Sequence, residues 1–402
     1  MDQKMEFAIK SATCNNFLEL CKEYGISRKT GYKWKARFVQ NGLAGMEDQS
    51  RRPRRHASEI PEKVVCEIVN LKQAHPNWGP RKIRALYERK HPGKVPSESS
   101  FKRILEAAGL TKPRKRRRAK QSGRLATGRK ASACNEIWTV DFKGWWNNPQ
   151  GLKVEPLTVR DEYSRMILEL RKVENSRTET IRSYFEQLFE NHGLPHAIRS
   201  DNGPPFASSN GLLGLSRLSA WWLALGIVLE RGRPGCPQDN GAHERMHLDI
   251  SRELQTGTRG WDQAAFDVWR NEFNTARPHE MLGRDTPAEH NEPSTRHYEG
   301  TPDDLDYGCK ETRRITPRVG TISYQGEPIM ISTSLVGWSV GLAPEKDGLI
   351  EVWFANLLLG HLDPKTSSFK ASDTAASGAT ADPSAASATV SYTHLRAHET
   401  LG

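Results

Sequence analysis

Hydrophobic positions along this chain change their period several times, and each change marks a different kind of element. Near the N-terminus Phe17, Leu18, Leu20 and Cys21 share a helical face, Gly25 breaks it, and Ser27 is set to cap a new helix that ends near Asn41-Gly42. Three helices are expected over residues 1–45, with Tyr32, Trp34 and Phe38 of the last one in the core. Val64, Val65, Ile68 and Leu71 mark a further helix; Trp78-Gly79-Pro80 opens another that carries Ile83, Leu86 and Tyr87; Pro96-Ser97 precedes a third with Phe101, Ile104 and Leu105 inside. From residue 137 the period drops to two. Ile137-Trp138-Thr139-Val140-Asp141-Phe142 alternates as a strand, with Trp138, Val140 and Phe142 on one face and Thr139 and Asp141 on the other.

Strand-like runs recur at 154–160, 166–173, 196–200 and 226–230, and helical runs at 177–191, 212–225 and 240–254. Three strands followed by alternating helix and strand predict a mixed α/β layer fold. The last helix follows the turn formers Pro234, Gly235 and Pro237, can be capped by Asp239 or Asn240, and repeats Ala242, Met246, Ile250 and Leu254 every fourth residue as one apolar stripe. Residues 310–365 read as short strands with glycine turns, predicting a small β-barrel. Residues 366–402 are rich in Ser, Ala and Thr and are expected to be disordered; their end, SYTHLRAHETLG, resembles translated adapter or vector sequence.

Charge narrows the class. The 402 residues carry a net +11, and the first 130 hold 32 Lys and Arg against 12 Asp and Glu, so the remainder is net acidic. Such a basic front half points to nucleic acid. The helix starting at Arg28 presents Arg28, Lys29 and Lys33 in the manner of a helix-turn-helix reading the major groove. The linker 46–60 carries Arg51, Arg52, Arg54 and Arg55, suited to phosphates or a minor groove. Lys102 and Arg103 could reach DNA from a second helical module at 61–110, and the linker 111–133 adds a block that includes Arg116, Arg117 and Arg118. No apolar run is long enough to span a bilayer, the N-terminus is polar from the start, and six cysteines form no CxxC pair. These features fit a reducing, cytosolic setting without a structural zinc or disulfides.

Three acids stand where elements begin or end: Asp141 on the first strand, Asp201 where the strand 196–200 runs into an Asn-Gly turn, and Glu244 on the last helix, away from the centre of its apolar stripe. Singly, each reads as a turn, edge or surface residue. Together they make an Asp…Asp…Glu set of the kind that two Mg²⁺ ions roughly 3.5–4 Å apart need for in-line phosphoryl transfer. The same helix contains His243-Glu244-Arg245-Met246-His247, a literal HExxH, which leaves a zinc protease as an alternative.

Several motifs in order decide between these. SDNGPPF at 200–206 followed by GCPQDNGAHER at 235–245, WTVDFKG at 138–144, DEYSR at 161–165 and RPHEMLGRDTPAEH at 277–290 resemble the catalytic core of DDE transposases and retroviral-type integrases, in the arrangement of bacterial insertion-sequence transposases. The resemblance covers roughly residues 5–365. It implies a multidomain protein: a helix-turn-helix domain at 1–45, a second one at 61–110, a ribonuclease-H-like catalytic core at 134–290 and a small β-barrel at 310–365. Asp141, Asp201 and Glu244 would be the catalytic residues and the ligands of two Mg²⁺ ions, with Mn²⁺ able to substitute. The implied activity is binding of transposon terminal inverted repeats, metal-dependent cleavage that frees a 3′-OH, and strand transfer into target DNA. Lys143 and Arg199 are candidates for positioning phosphates. His243 would pack and His247 would help position DNA. A homo-oligomer acting on DNA in the bacterial cytoplasm, associated with the nucleoid and with no membrane, is expected. A DNA-binding regulator with an inactive core is the remaining alternative.

Overall fold

Asn16 and Ser27 begin the first helices as capping residues should: their side-chain oxygens accept from the backbone N–H of Glu19 and of Thr30. The computed structural model describes residues 3–48, 60–111, 129–233, 241–255, 260–308, 310–316, 319–345 and 347–372. It divides into two units, Met1–Glu62 and Lys63–Gly402. In the first, α1 (Gln3–Thr13), α2 (Phe17–Glu23) and α3 (Arg28–Asn41) pack around Phe7, Leu20 and Cys21. Gly31 permits that packing, because a Cβ there would lie 2.6 Å from the Cys21 sulfur. Trp34 joins this core as expected, whereas Tyr32 is 56% exposed and leans on Phe17 at the surface, the two rings tilted by 31°. Helical spacing places Tyr32 one residue past Gly31, off the buried stripe.

The second unit opens with α4 (Glu62–Ala74), α5 (Pro80–Lys90) and α6 (Glu98–Ala107), which enclose Ile68, Trp78, Ile83, Tyr87, Phe101 and Leu105. Pro80 begins α5 where its missing N–H costs nothing, and Ser97 caps α6. The α/β layer follows: β1 (Ile137–Phe142), β2 (Trp146–Asn147), β3 (Lys153–Val154), β4 (Pro156–Asp161), β5 (Ile167–Lys172), α7 (Thr178–His192), β6 (Ala197–Ser200), α8 (Arg217–Ala224), β7 (Val228–Arg231), α9 (Gly241–Ile250), α10 (Gln263–Thr275) and α11 (Pro287–His290). One sheet runs in the order β5-β4-β1-β6-β7, antiparallel from β5 to β1 and parallel from β1 to β7.

The two faces of that sheet bury different helices, as strand alternation requires. Trp138, Val140, Leu157 and Val159 meet Phe185 and Phe189 of α7 and Trp222 of α8. On the other face Ile167 and Leu170 meet Met246 and Ile250 of α9 and Phe266, Trp269 and Phe273 of α10. The stripe Met246–Ile250–Leu254 is therefore core, and α9 continues through Ser251–Gln255 as a wider π turn.

The C-terminal strands β8 (Glu311–Arg314), β9 (Thr321–Tyr324), β10 (Glu327–Met330), β11 (Ser339–Pro344), β12 (Ile350–Phe354) and β13 (Leu357–Asp363) fall in the stretch where glycine turns predict strands, whereas β14 (Ser368–Ala371) forms at the start of the segment expected to be disordered, where it pairs with β13; residues 373–402 lie outside the described residues. They do not close into the expected barrel. One sheet is ordered β14-β13-β12-β11-β8, and β9 and β10 form a separate hairpin that touches β8 and β14 without pairing to either. The sheet is irregular, with a register shift between Val352 and Trp353 and a close strand approach at Gly360, where a Cβ would meet the Lys370 carbonyl at 2.1 Å. Among the described residues no helix is long and apolar enough to cross a membrane.

Candidate active site

The register of two parallel strands carries the first two acids to the same edge. β1 pairs with β6 as Ile137 with Ala197, Trp138 with Ile198 and Thr139 with Arg199. Continued along the strands, that offset puts Asp141 level with Asp201, one residue past the end of β6. Asp201 opens a tight turn, its Oδ1 accepting from the Gly203 N–H at 3.2 Å. Arg231, at the end of β7, holds this turn from behind: it donates to the Ser200 hydroxyl at 2.7 Å and to the Phe206 carbonyl at 2.7 Å. Sequence reasoning missed Arg231. Its only signal is its place at the end of a strand-like run. Glu244 is exposed on the first turn of α9, on the helix side opposite the buried Met246–Ile250 row.

Asp141 feels the charges of the other two carboxylates. Burial first, and then the negative charges of Asp201 and Glu244, push the Asp141 carboxyl up to about 7. The sign of the linkage follows. A carboxyl whose folded value of about 7 exceeds its ordinary 3.8 binds protons more tightly in the folded state, so stability is lost as pH rises between those values. Without divalent metal, Asp141→Asn is therefore expected to be more stable than the parent chain at pH 8, by up to about 4 kcal/mol, and equal to it near pH 4. Urea unfolding of both proteins in chelator at the two pH values checks this; a parent chain as stable as the variant at pH 8 contradicts it.

Below the acids lies a buried polar layer. His243 is fully buried, and its Nδ1 lies 2.9 Å from the Thr139 hydroxyl of β1 and its Nε2 2.6 Å from the Thr158 hydroxyl of β4. The Nε2 of His247 lies 2.9 Å from that same Thr158 hydroxyl, which in turn is 2.8 Å from the Asp141 carbonyl. Burial holds both imidazoles below their usual range, His247 down to about 3. His247, expected beside DNA, is thus turned into the protein, because α9 lies flat on the sheet at this level.

Arg199 is likewise not a phosphate ligand. It is 6% exposed and its guanidinium is taken by Glu230 at 2.6 and 3.0 Å and by the Arg129 carbonyl. Lys143 stays partly exposed, and its charge acts on both Asp141 and His247. Arg28, Lys29 and Lys33 are exposed on α3. Lys102 and Arg103 are exposed on α6, where Lys102 pairs with Glu106 at 3.6 Å and Arg103 reaches Ser100. Arg51, Arg52, Arg54, Arg55, Arg116, Arg117 and Arg118, and the turn residues Pro234 to Asn240, lie outside the described residues.

Residues 131–237 and 225–287 match the integrase core domain family, and residues 30–105 match a homeodomain-like domain family. A 31.7 kDa protein of insertion element IS407 from Burkholderia multivorans is 26% identical over 242 residues, covering 58% of this chain and 81% of that protein. A 39.2 kDa protein of insertion element IS476 from Xanthomonas euvesicatoria is 28% identical over 257 residues, covering 61% of this chain and 70% of that protein. The solved catalytic core domain of HTLV-2 integrase in complex with magnesium is 17% identical, covers 40% of this chain and 99% of its own length, and superposes with a TM-score of 0.32. The chain therefore carries a homeodomain-like domain ahead of an integrase core that spans β1 to α10, and over more than half of its length it is similar to proteins of bacterial insertion elements.

Proposed function

We propose that this chain is a transposase that works through Asp141, Asp201 and Glu244, cutting and joining DNA at transposon ends with two Mg²⁺ ions, for which Mn²⁺ can substitute. The observation that carries the reading is convergence: two acids level on adjacent parallel strands and a third on a helix packed across those strands, near enough that Asp201 and Glu244 raise the Asp141 carboxyl. The donor set fits the ion class. It is carboxylate oxygen, which hard divalent cations prefer, and its crowded negative charge is relieved by a cation. When bound, such a metal pair supplies activation of the attacking oxygen and neutralisation of the leaving one.

The protein's own residues do the rest. Asp141, Asp201 and Glu244 would hold the metal through their carboxylate oxygens. Arg231 keeps the Asp201 turn from shifting. Lys143 sits where its charge can meet a phosphate. Asn202, Pro204, Arg217 and Ser334 line an open cleft of about 560 Å³ that begins one residue past Asp201 in the chain and would take a DNA strand leaving the site. Water is the first nucleophile and the freed 3′-OH the second, so no covalent enzyme intermediate is needed. Joining two ends calls for a homo-oligomer, in bacterial cytoplasm on nucleoid DNA. The helical regions 1–45 and 61–110 bind the terminal repeat, 134–290 is the catalytic core, and the strands of 310–365 serve DNA or subunit contact. The HExxH spacing does not favour a protease: both imidazoles already spend a nitrogen on Thr158.

Incubating the purified chain with labelled terminal-repeat DNA, a target plasmid and Mg²⁺ should yield nicked ends and joined products. Specific end binding without any cleavage or joining in Mg²⁺ or Mn²⁺ would return the regulator reading. End binding should also fall steeply with salt, log K dropping against log[salt] by about 0.9 per phosphate neutralised. For six to ten contacts that is roughly a 10³–10⁵-fold loss between 50 and 200 mM salt. Arg28→Ala and Lys29→Ala should each weaken specific binding by about tenfold and random-DNA binding by less. Equal loss on both DNAs would assign these side chains to the backbone.

A further inference from the structure

The buried layer under the acids is a proton-ordered key between the glutamate's helix and the first aspartate's strand. Five contacts compete for the hydroxyl protons of Thr139 and Thr158: Thr139 to His243 Nδ1 at 2.9 Å, Thr139 to the Arg160 carbonyl at 3.3 Å, Thr158 to His243 Nε2 at 2.6 Å, Thr158 to His247 Nε2 at 2.9 Å and Thr158 to the Asp141 carbonyl at 2.8 Å. A hydroxyl gives one proton and accepts two. If Thr158 gives its proton to the Asp141 carbonyl, both imidazoles must bring Nε2–H to its two lone pairs. His243 Nδ1 is then an acceptor and takes the Thr139 proton. This arrangement satisfies four contacts and leaves out only the longest, at 3.3 Å. The opposite arrangement, with Thr158 donating to a ring nitrogen, abandons the 2.8 Å bond to Asp141. A positively charged His243 is disfavoured by full burial beside Arg160, which is itself buried.

We infer that His243 and His247 are positioning residues locked as Nε2–H tautomers, which tie α9 through Thr158 to the backbone of Asp141 and so set Glu244 against the other acids. The inference rests on the three-acid reading above. His243 precedes Glu244 directly, and Thr158 stands opposite Asp141 in the β1–β4 register, so the key spans one residue on either side of the site. Asp141, His243 and His247 bring ligand atoms within 4.8 Å of one another, but both Nε2 atoms and the His243 Nδ1 are already bonded to the two threonines.

Two measurements on the full chain test it. Long-range ¹H–¹⁵N spectra of the imidazoles, assigned with His243→Gln and His247→Gln, should show both rings protonated at Nε2. A His243 ring protonated at Nδ1, or one equivalent of added Zn²⁺ binding with loss of both signals, overturns the proposal. Then Thr158→Val keeps the β-branched shape but removes the hydroxyl, and Thr158→Ser keeps the hydroxyl. The valine variant should bind transposon ends normally, join them on the order of 10–100-fold more slowly, and need more Mg²⁺ for half-maximal rate. The serine variant should recover most of the rate. A valine variant as fast as the parent at every Mg²⁺ concentration defeats the key. Asp141→Asn run alongside separates the two levels: activity in that variant defeats the three-acid site itself.

Discussion

Asp141→Asn, Asp201→Asn and Glu244→Gln should each lower end cleavage and strand transfer by at least about 10³-fold, a loss of about 4 kcal/mol of transition-state stabilisation, while end binding stays near the parent value. Each substitution removes one negative oxygen donor and preserves side-chain shape. Asp201 and Glu244 are exposed, so their loss should leave the fold intact, and Asp141→Asn is expected to gain stability in the absence of metal. A catalytic defect alongside equal or greater stability separates this outcome from misfolding, which would lower both. Binding to a labelled end, joining to a plasmid and a melting curve for each variant are sufficient. Near-parental joining by any one of the three removes that residue from the site.

Arg277→Met should cost about 3–5 kcal/mol of stability, the largest structural effect expected from one surface-distant side chain. Arg277 is 3% exposed; its guanidinium bonds Asp249 at 2.9 Å and Glu253 at 3.1 Å and lies over the rings of Phe273 and Trp78. Glu253 also accepts from the Trp269 indole at 2.8 Å. Removing the cation leaves two carboxylates facing each other with little water, whereas an apolar replacement of the whole group would not. Arg277→Met combined with Asp249→Leu and Glu253→Gln should therefore recover much of the loss. Urea unfolding of the single and triple variants reads it directly, and a single variant within about 1 kcal/mol of the parent would show the pair to be solvated. Since Asp249 and Glu253 continue the helix that carries Glu244, the single variant should also slow joining.

How much could be read in advance depended on whether a residue's partner lies nearby in the chain. Asp141 was legible because alternation alone sorts β1 into an apolar face and a face bearing Thr139 and Asp141. The stripe Met246–Ile250–Leu254 was legible for the same local reason. Arg199 was misread because what neutralises it is Glu230 on β7, brought beside it only by the parallel register. His247 was misplaced because nothing in a helical wheel reveals a threonine hydroxyl on a strand some ninety residues earlier. Helix α10 went unread although Phe266, Trp269 and Phe273 recur at helical spacing after a capping Asp262; the signal was present. The barrel was anticipated from strand-and-glycine rhythm, which counts strands but does not say whether the edges β8 and β14 meet.

The bond between Thr139 and His243 joins residues 104 apart, and Arg277 follows later still. A ribosome releasing the chain from its N-terminus therefore exposes the basic helices α1–α3, with their own small core, well before Glu244 can be seated. With the roles proposed above, the nascent protein would grip DNA during that interval before it could cut it. A message broken anywhere between β1 and Arg277 would leave behind a chain fixed in that state, occupying transposon ends without consuming them.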